Sequence, residues 1–249
     1  LGLALNTLLK KHHQKVIAVH KGKKYAKQSQ YKYTINPYDK EHYARLHNEL
    51  KSLLLIPAYV VHLFSLTTNR KILRQRHSEL VQYEGFNSLL YYAQTFLSDI
   101  SIKPGLIVVS NHLKKVLLND KIIPEKTTML GPFMAIPYEY ELNKARFIDI
   151  EYSKKSIRDH AKIVFDEMLL PVSDALDDSI IAYRRQQRYV QSYQEIFFDI
   201  EKNIGIASSI FKQQGTYLIS GGFGRLGLTI AKHIAEQETS IKIILLGRS

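Results

Sequence analysis

The sequence contains no cysteine and no tryptophan among its 249 residues. Without cysteine it has no disulfides, no thiolate metal sites and no thiol nucleophile. It also lacks any apolar run near the ~18 residues that a spanning helix requires, so a transmembrane reading fails. No charged start leads into an apolar stretch and a small-residue cleavage site, so no secretory leader is read; a cytoplasmic location is the expectation. Acidic residues are missing from the first 38 positions, where eight lysines fall (Lys10, Lys11, Lys15, Lys21, Lys23, Lys24, Lys27 and Lys32). The formal charge is +12, and a second basic run, NRKILRQRH, occupies 69–77. Such patches attract phosphates or acidic proteins. Aromatics do not interleave the lysines as base stacking would need, which disfavours nucleic acid. No P-loop, Gly-x-Ser-x-Gly or His-Glu-x-x-His pattern occurs, and the ten histidines are scattered.

Short β-branched runs alternate with helical patterns. KVIAVH (15–20), AYVVHLFS (58–65), GLIVVSN (105–111) and ARFIDIE (145–151) have the length of buried strands. Helical periodicity covers 39–54, 86–100 and 153–170, with Asp39 and Ser153 placed as N-caps. Residues 179–196 read as a hairpin turning near Arg184 and Gln187. The alternation implies an α/β fold around a mainly parallel sheet covered on both faces.

The chain ends on TYLISGGFGRLGLTIAKHIAEQETSIKIILLGRS (216–249). A strand, a glycine turn and a helix follow each other without interruption. Gly221 would allow the sharp turn, Gly224 the approach of backbone amides to a pyrophosphate, and Gly227 close helix–strand packing. The pyrophosphate would rest on the helix N-terminus, where free amides and the dipole favour negative charge. Where NAD-binding proteins carry an acid for the ribose 2′-hydroxyl, this sequence has Arg248, with Arg225 inside the turn. Both suit a 2′-phosphate, hence NADPH. The candidate cofactor-binding residues are Ser220, Gly221, Gly222, Phe223, Gly224, Arg225, Leu226 and Gly227, with Arg248 and Ser249. The lone Tyr-x-x-x-Lys, Tyr140 to Lys144, precedes the turn and is rejected as a catalytic pair.

The two ends are alike. Leu1-Gly2-Leu3, a helical stretch and VIAVH match Leu226-Gly227-Leu228, a helix and IKIILL at a constant shift of 225. The first copy lacks a strand and a glycine turn ahead of it.

These residues resemble the ketoreductase domain of modular type I polyketide synthases. VVHLFSL (60–66), with Phe64 where Trp is common, EGFNSLLYYAQTF (84–96), LGPFMAIPYEYELNKARFIDIE (130–151) and IAYRRQQRYVQSYQ (181–194) resemble successive pieces of its structural subdomain. The terminal stretch resembles the first β-α-β of its catalytic subdomain, with Ser220 in place of the commoner Thr. The resemblance implies a degenerate Rossmann-like (short-chain dehydrogenase-type) structural subdomain over 1–205, lacking its first strand. The truncated start of an NADPH-binding subdomain follows over 206–249. The parent activity implied is NADPH-dependent reduction of a β-ketoacyl thioester carried by an acyl carrier protein. Neighbouring synthase domains and the remainder of the ketoreductase are the implied partners, with no membrane role. The family's catalytic Tyr, Ser and Lys would lie beyond Ser249, so this segment is expected to be inactive alone. The alternative is a non-catalytic scaffold making contacts within a megasynthase. A free-standing short-chain dehydrogenase would carry its glycine turn near the N-terminus, and fails on order.

Overall fold

A computed structural model describes residues 1–67, 75–98, 104–171, 179–196, 211–238 and 240–248. The chain divides into two compact units, Leu1–Ser192 and Tyr193–Ser249. The boundary expected at 205/206 lies outside the described residues, as do most of the basic run 69–77 and Ser249.

The first unit is built on five strands in the order β4-β5-β6-β7-β8: Tyr59–His62, Gly105–Ser110, Ala145–Ile150, Ile180–Arg184 and Gln187–Val190. The first four are parallel, and β8 returns antiparallel to β7. Arg185 and Gln186 form the hairpin turn with φ of 49° and 67°, the left-handed pair that matches the twist of a two-residue connection. β5 and β6 are buried at every position. Their side chains alternate between two apolar layers, as the strand period dictates. Leu106, Val108 and Phe147 face one layer; Ile107, Val109, Ile148 and Ile150 face the other.

The first layer is completed by α2 (Lys40–Ser52), through Tyr43, Leu46 and Leu50, and by the helical run 75–97. Asp39 caps α2 as expected, its carboxylate accepting from the Glu41 amide at 3.0 Å. The 75–97 run starts earlier than its sequence period predicts and is wound unevenly. α3 (Gln75–Gln82) and α4 (Ser88–Tyr92) are each followed by a π-helical turn, Tyr83–Asn87 and Ala93–Leu97. α6 (Leu130–Glu139) contributes Phe133 and Ile136 despite Pro137 inside it.

The opposite layer is covered by α1 (Gly2–Lys11) and α7 (Ile157–Leu169), through Leu5, Ala161 and Val164. Ser153 caps a short 3₁₀ turn, Lys154–Ser156, rather than α7 itself. A separate three-stranded sheet, β1-β3-β2, comprises Ala18–Lys21, Lys32–Ile35 and Ala26–Ser29. β2 and β3 lie in the lysine-rich stretch, where no strand was expected. Only Tyr33 and Ile35 on β3 are buried there.

The second unit contains β9 (Thr216–Ser220), α8 (Arg225–Gln237) and β10 (Lys242–Leu246), with β10 parallel to β9 from Thr216↔Lys242 to Ser220↔Leu246. The shift of 225 carries Ala18–Lys21 onto residues 243–246 within β10, and α1 onto 227–236 within α8. The two ends are therefore alike in structure as well as in sequence. Among the described residues no helix is long and apolar enough to cross a membrane.

Candidate functional site

The glycine turn of the second unit joins β9 to α8. Gly221 sits at φ +74°, a conformation side chains disfavour. The Gly222 amide donates to the Leu246 carbonyl at 2.9 Å, tying the turn to the end of β10. The Gly224 amide donates to the Gly221 carbonyl at 2.9 Å. Gly224 is the N-cap of α8, extended at φ −74°, ψ 160°, and no side chain caps the helix. Its carbonyl accepts the Leu228 amide at 2.9 Å, so the amides of Arg225, Leu226 and Gly227 precede the first i→i−4 bond. No acidic residue occupies this first turn.

Sterics explain why glycines recur. A Cβ on Gly227 would lie 2.5 Å from the Gly221 carbonyl oxygen and 2.7 Å from Gly222 Cα. One on Gly222 would lie 2.8 Å from Leu245 Cβ. One on Gly224 would lie 3.2 Å from the Gly221 carbonyl oxygen. Gly222 and Gly227 are buried, whereas Ser220, Gly221, Phe223, Gly224, Arg225 and Leu226 are exposed. The helix start thus combines glycine backbone with the exposed side chains of Phe223, Arg225 and Leu226. Such a concave arrangement of amides is suited to a phosphate. Arg248 is exposed two residues past β10, and Ser249 lies outside the described residues. Sequence reasoning missed Gly247: a Cβ there would lie 2.6 Å from Phe223 Cδ2, so its smallness seats the turn's aromatic ring. Its place between the strand and Arg248 was the available signal.

The corresponding end of the five-stranded sheet is filled by charged side chains that the sequence reading did not single out. Lys126, on α5 (Pro124–Thr127), is 1% exposed. It donates to Asn111 Oδ1 at 2.5 Å and to Thr67 Oγ1 at 2.9 Å. Burial pushes its ammonium down to about 8, against the upward pull of Asp149 and Glu84. Arg184 donates to Asp149 Oδ2 at 2.8 Å and to Asp120 Oδ2 at 2.9 Å. Burial pushes the Asp120 carboxyl up, but the amides of Leu117 and Val116 and the Arg184 guanidinium together hold it below its ordinary value. Deeper in the unit, Arg146 pairs with Glu167 at 2.8 Å, both side chains fully buried. His62, at the end of β4, meets Ser88 Oγ at 2.5 Å. The Ser88 hydroxyl is itself directed at the Glu84 carbonyl, so the histidine is the donor through Nε2. Burial, reinforced by the charge of Lys21, pushes His62 down to about 4.

Tyr140 and Lys144 do not form a catalytic pair. Lys144 Nζ donates to the Tyr59 hydroxyl at 3.2 Å, and Tyr140 merely ends α6.

Comparison with known proteins follows this geometry. The family described as KR domain matches residues 215–249, the stretch that runs from β9 through the glycine turn and α8 to β10. The family described as beta-ketoacyl synthase-like, N-terminal, matches residues 3–126; the chain has no cysteine, so this match brings no thiol nucleophile. Polyketide synthase PksN of Bacillus subtilis (strain 168) is 43% identical over 72 residues, 29% of this chain and 1% of that protein. Polyketide synthase PksM of the same organism is 26% identical over 239 residues, 94% of this chain and 5% of that protein. The chain is thus a small part of the length of these relatives.

Among solved structures, a keto acid-selecting NRPS module with adenylation, ketoreductase and pseudo-Asub domains matches 99% of this chain and 20% of its own. Its TM-score is 0.71 at 22% identity. An N-terminal ketoreductase from the macrolactin assembly line matches 99% of this chain and 47% of its own, with a TM-score of 0.70 at 19% identity. A short-chain dehydrogenase/reductase from Brucella ovis, solved with partially ordered NAD, matches 69% of this chain and 88% of its own. Its TM-score is 0.51 at 10% identity. At these identities the structures establish a Rossmann-like α/β fold of the ketoreductase and short-chain dehydrogenase kind. With the KR-domain match over 215–249 and the polyketide synthase relatives, the chain is similar to the ketoreductase regions of polyketide synthase and NRPS modules.

Proposed function

We propose that this chain carries the nucleotide-binding start of an NADPH-dependent reductase that acts on a β-ketoacyl thioester held by an acyl carrier protein. The observation that carries the reading is the turn from Ser220 to Gly227, which leads into a helix start that no side chain caps. Steric fit supports it: the glycines leave open the positions that side chains would fill. The amides of Arg225, Leu226 and Gly227 would hold the pyrophosphate, and Gly221 and Gly224 would let it approach. Arg225 and Arg248 would meet the 2′-phosphate, which favours NADPH over NADH. When bound, such a cofactor supplies hydride to the thioester's β-carbonyl carbon. No Tyr-x-x-x-Lys follows the turn within residues 225–249 to act as proton donor for the resulting alkoxide.

Leu1–Ser192 takes a supporting role in this reading. Its strand ends are occupied by Lys126, Asp149 and Arg184 bonded to protein groups, which leaves no comparable cradle there among the described residues. The polyketide synthase relatives support adjacent synthase domains as partners, and a carrier protein is the partner that the proposed substrate would require.

Calorimetric titration tests the proposal. Expected are weak NADPH binding, with a Kd above micromolar, weaker NADH binding, and no turnover of a β-ketoacyl thioester. NADH binding as tight as NADPH would refute the 2′-phosphate assignment. Turnover by the isolated chain would refute the division of labour.

A further inference from the structure

Ser110 ends β5, Asp149 stands one residue before the end of β6, and the two are partners across this parallel pair. Strand alternation puts both on the face that carries Leu106, Val108 and Phe147, toward the layer completed by α2 and the 75–97 run. Neither reaches solvent: Ser110 is 0% exposed and Asp149 2%. Asp149 Oδ2 accepts from the Lys114 amide at 3.1 Å and from Arg184 at 2.8 Å. Asp149 Oδ1 and Ser110 Oγ, in contrast, are buried with no hydrogen-bond partner among the described residues.

A third group with capacity to spare lies beside them. Lys126 donates to Asn111, the residue after Ser110, and to Thr67. Those bonds use two of the three donors of an ammonium. The charge of Asp149 acts on Lys126, yet Asp149 Oδ1 does not bond it directly. Three polar groups on β5, β6 and α5 thus converge with hydrogen bonds still to make. Leaving such groups unpaired in a buried place is costly, and folded proteins seldom do it.

The chemistry of the three groups selects what binds them. Asp149 Oδ1 is an acceptor, the Lys126 ammonium a donor, and the Ser110 hydroxyl either one. An anion would be repelled by Asp149, and a metal cation by Lys126 and Arg184. An apolar molecule would satisfy none of the three. Only a small neutral molecule that both donates and accepts meets every demand. Parallel neighbours lie about 4.8 Å apart, which confines the site between Ser110 and Asp149 to the size of a water. We infer that the ends of β5 and β6 enclose one structural water molecule, which donates to Asp149 Oδ1, accepts from Lys126 Nζ and shares a hydrogen bond with Ser110 Oγ. About three partners is usual for a buried water. This water would fasten α5 to both strands and complete the polar filling of this end of the sheet.

A crystal structure of the full chain that shows ordered water tests this directly. Expected is one oxygen peak within about 3.2 Å of Ser110 Oγ, Asp149 Oδ1 and Lys126 Nζ. Ser110 Oγ bonded straight to Asp149 Oδ1, with no such peak, would overturn the inference. So would an ion at this place, which rubidium or bromide soaks would reveal by anomalous scattering. In solution, oxygen-17 relaxation dispersion counts the slowly exchanging waters held inside a protein. Ser110→Val sets a methyl where the water meets the hydroxyl and should lower that count by one; an unchanged count would overturn the inference. Ser110→Ala is the milder change should the valine variant fail to fold. It leaves the water two of its three partners, so its residence time should shorten about tenfold. An unchanged residence time would equally refute the site.

Discussion

The C-terminal ends of parallel strands are treated in opposite ways by the two units. In Leu1–Ser192 they are occupied: Asn111, Asp149 and Arg184 are at most 4% exposed, Asn111 bonded to Lys126 and Thr67, and Arg184 to Asp149 and Asp120. In Tyr193–Ser249 the equivalent end is a glycine turn whose residues, Gly222 and Gly227 apart, are exposed. Open α/β sheets bind ligands at this end. One unit therefore uses the position for internal cohesion, and in the other it is the place where the proposed cofactor would bind. Buried pairs of this kind cost much to break even where their net contribution is small.

The largest expected effect breaks the occupied end. Arg184→Leu leaves Asp149, 2% exposed, without its guanidinium, and should lower stability by about 3–5 kcal/mol in urea unfolding. Adding Asp149→Leu should restore much of that loss. If the double variant were weaker still, packing around the pair rather than the stranded charge would be responsible.

Acid should act on the first unit next. His62 falls from 6.5 to about 4 in the folded state through burial and the charge of Lys21. Between these values the unfolded chain binds the extra proton, so stability is full above pH 6.5 and is lost as pH falls toward 4. The loss is roughly 3 kcal/mol. His62→Gln should flatten that slope in urea midpoints measured from pH 7 to 4; an unchanged slope would assign it to other groups.

Gly227→Val tests the open end. Its Cβ would meet the Gly221 carbonyl at 2.5 Å, so NADPH affinity should fall at least tenfold, about 1.4 kcal/mol. The unfolding midpoint of the first unit should stay put. Loss of both would mean that the variant acts by unfolding the chain. The smallest effect is expected from Arg248→Glu, which should narrow the preference for NADPH over NADH by about tenfold or less. Equal changes for both nucleotides would remove Arg248 from the 2′-phosphate.

Much of this arrangement was legible in the residues. Central strands β5 and β6 were readable because unbroken β-branched runs have few other places to go. The Asp39 cap and the Arg185–Gln186 turn were readable because each depends on local chemistry. β2 and β3 were not: their strand character rests on pairing, while only Tyr33 and Ile35 are buried among lysines. The start of the 75–97 helix was also missed, since its first turns are polar.

Lys126 and Arg146 were not singled out, and Arg184 was read only as part of the hairpin turn, because a charged residue carries no mark of the partner that will bury it. Sequence alone determined the α/β alternation, the glycine turn and the repeat at a shift of 225, all properties of local spacing. Tertiary structure alone decided which strand ends are filled with charge, and that Ser110 and Asp149 are shut in beside Lys126. Those outcomes depend on residues distant in sequence meeting in space, as Thr67, Asn111 and Lys126 do.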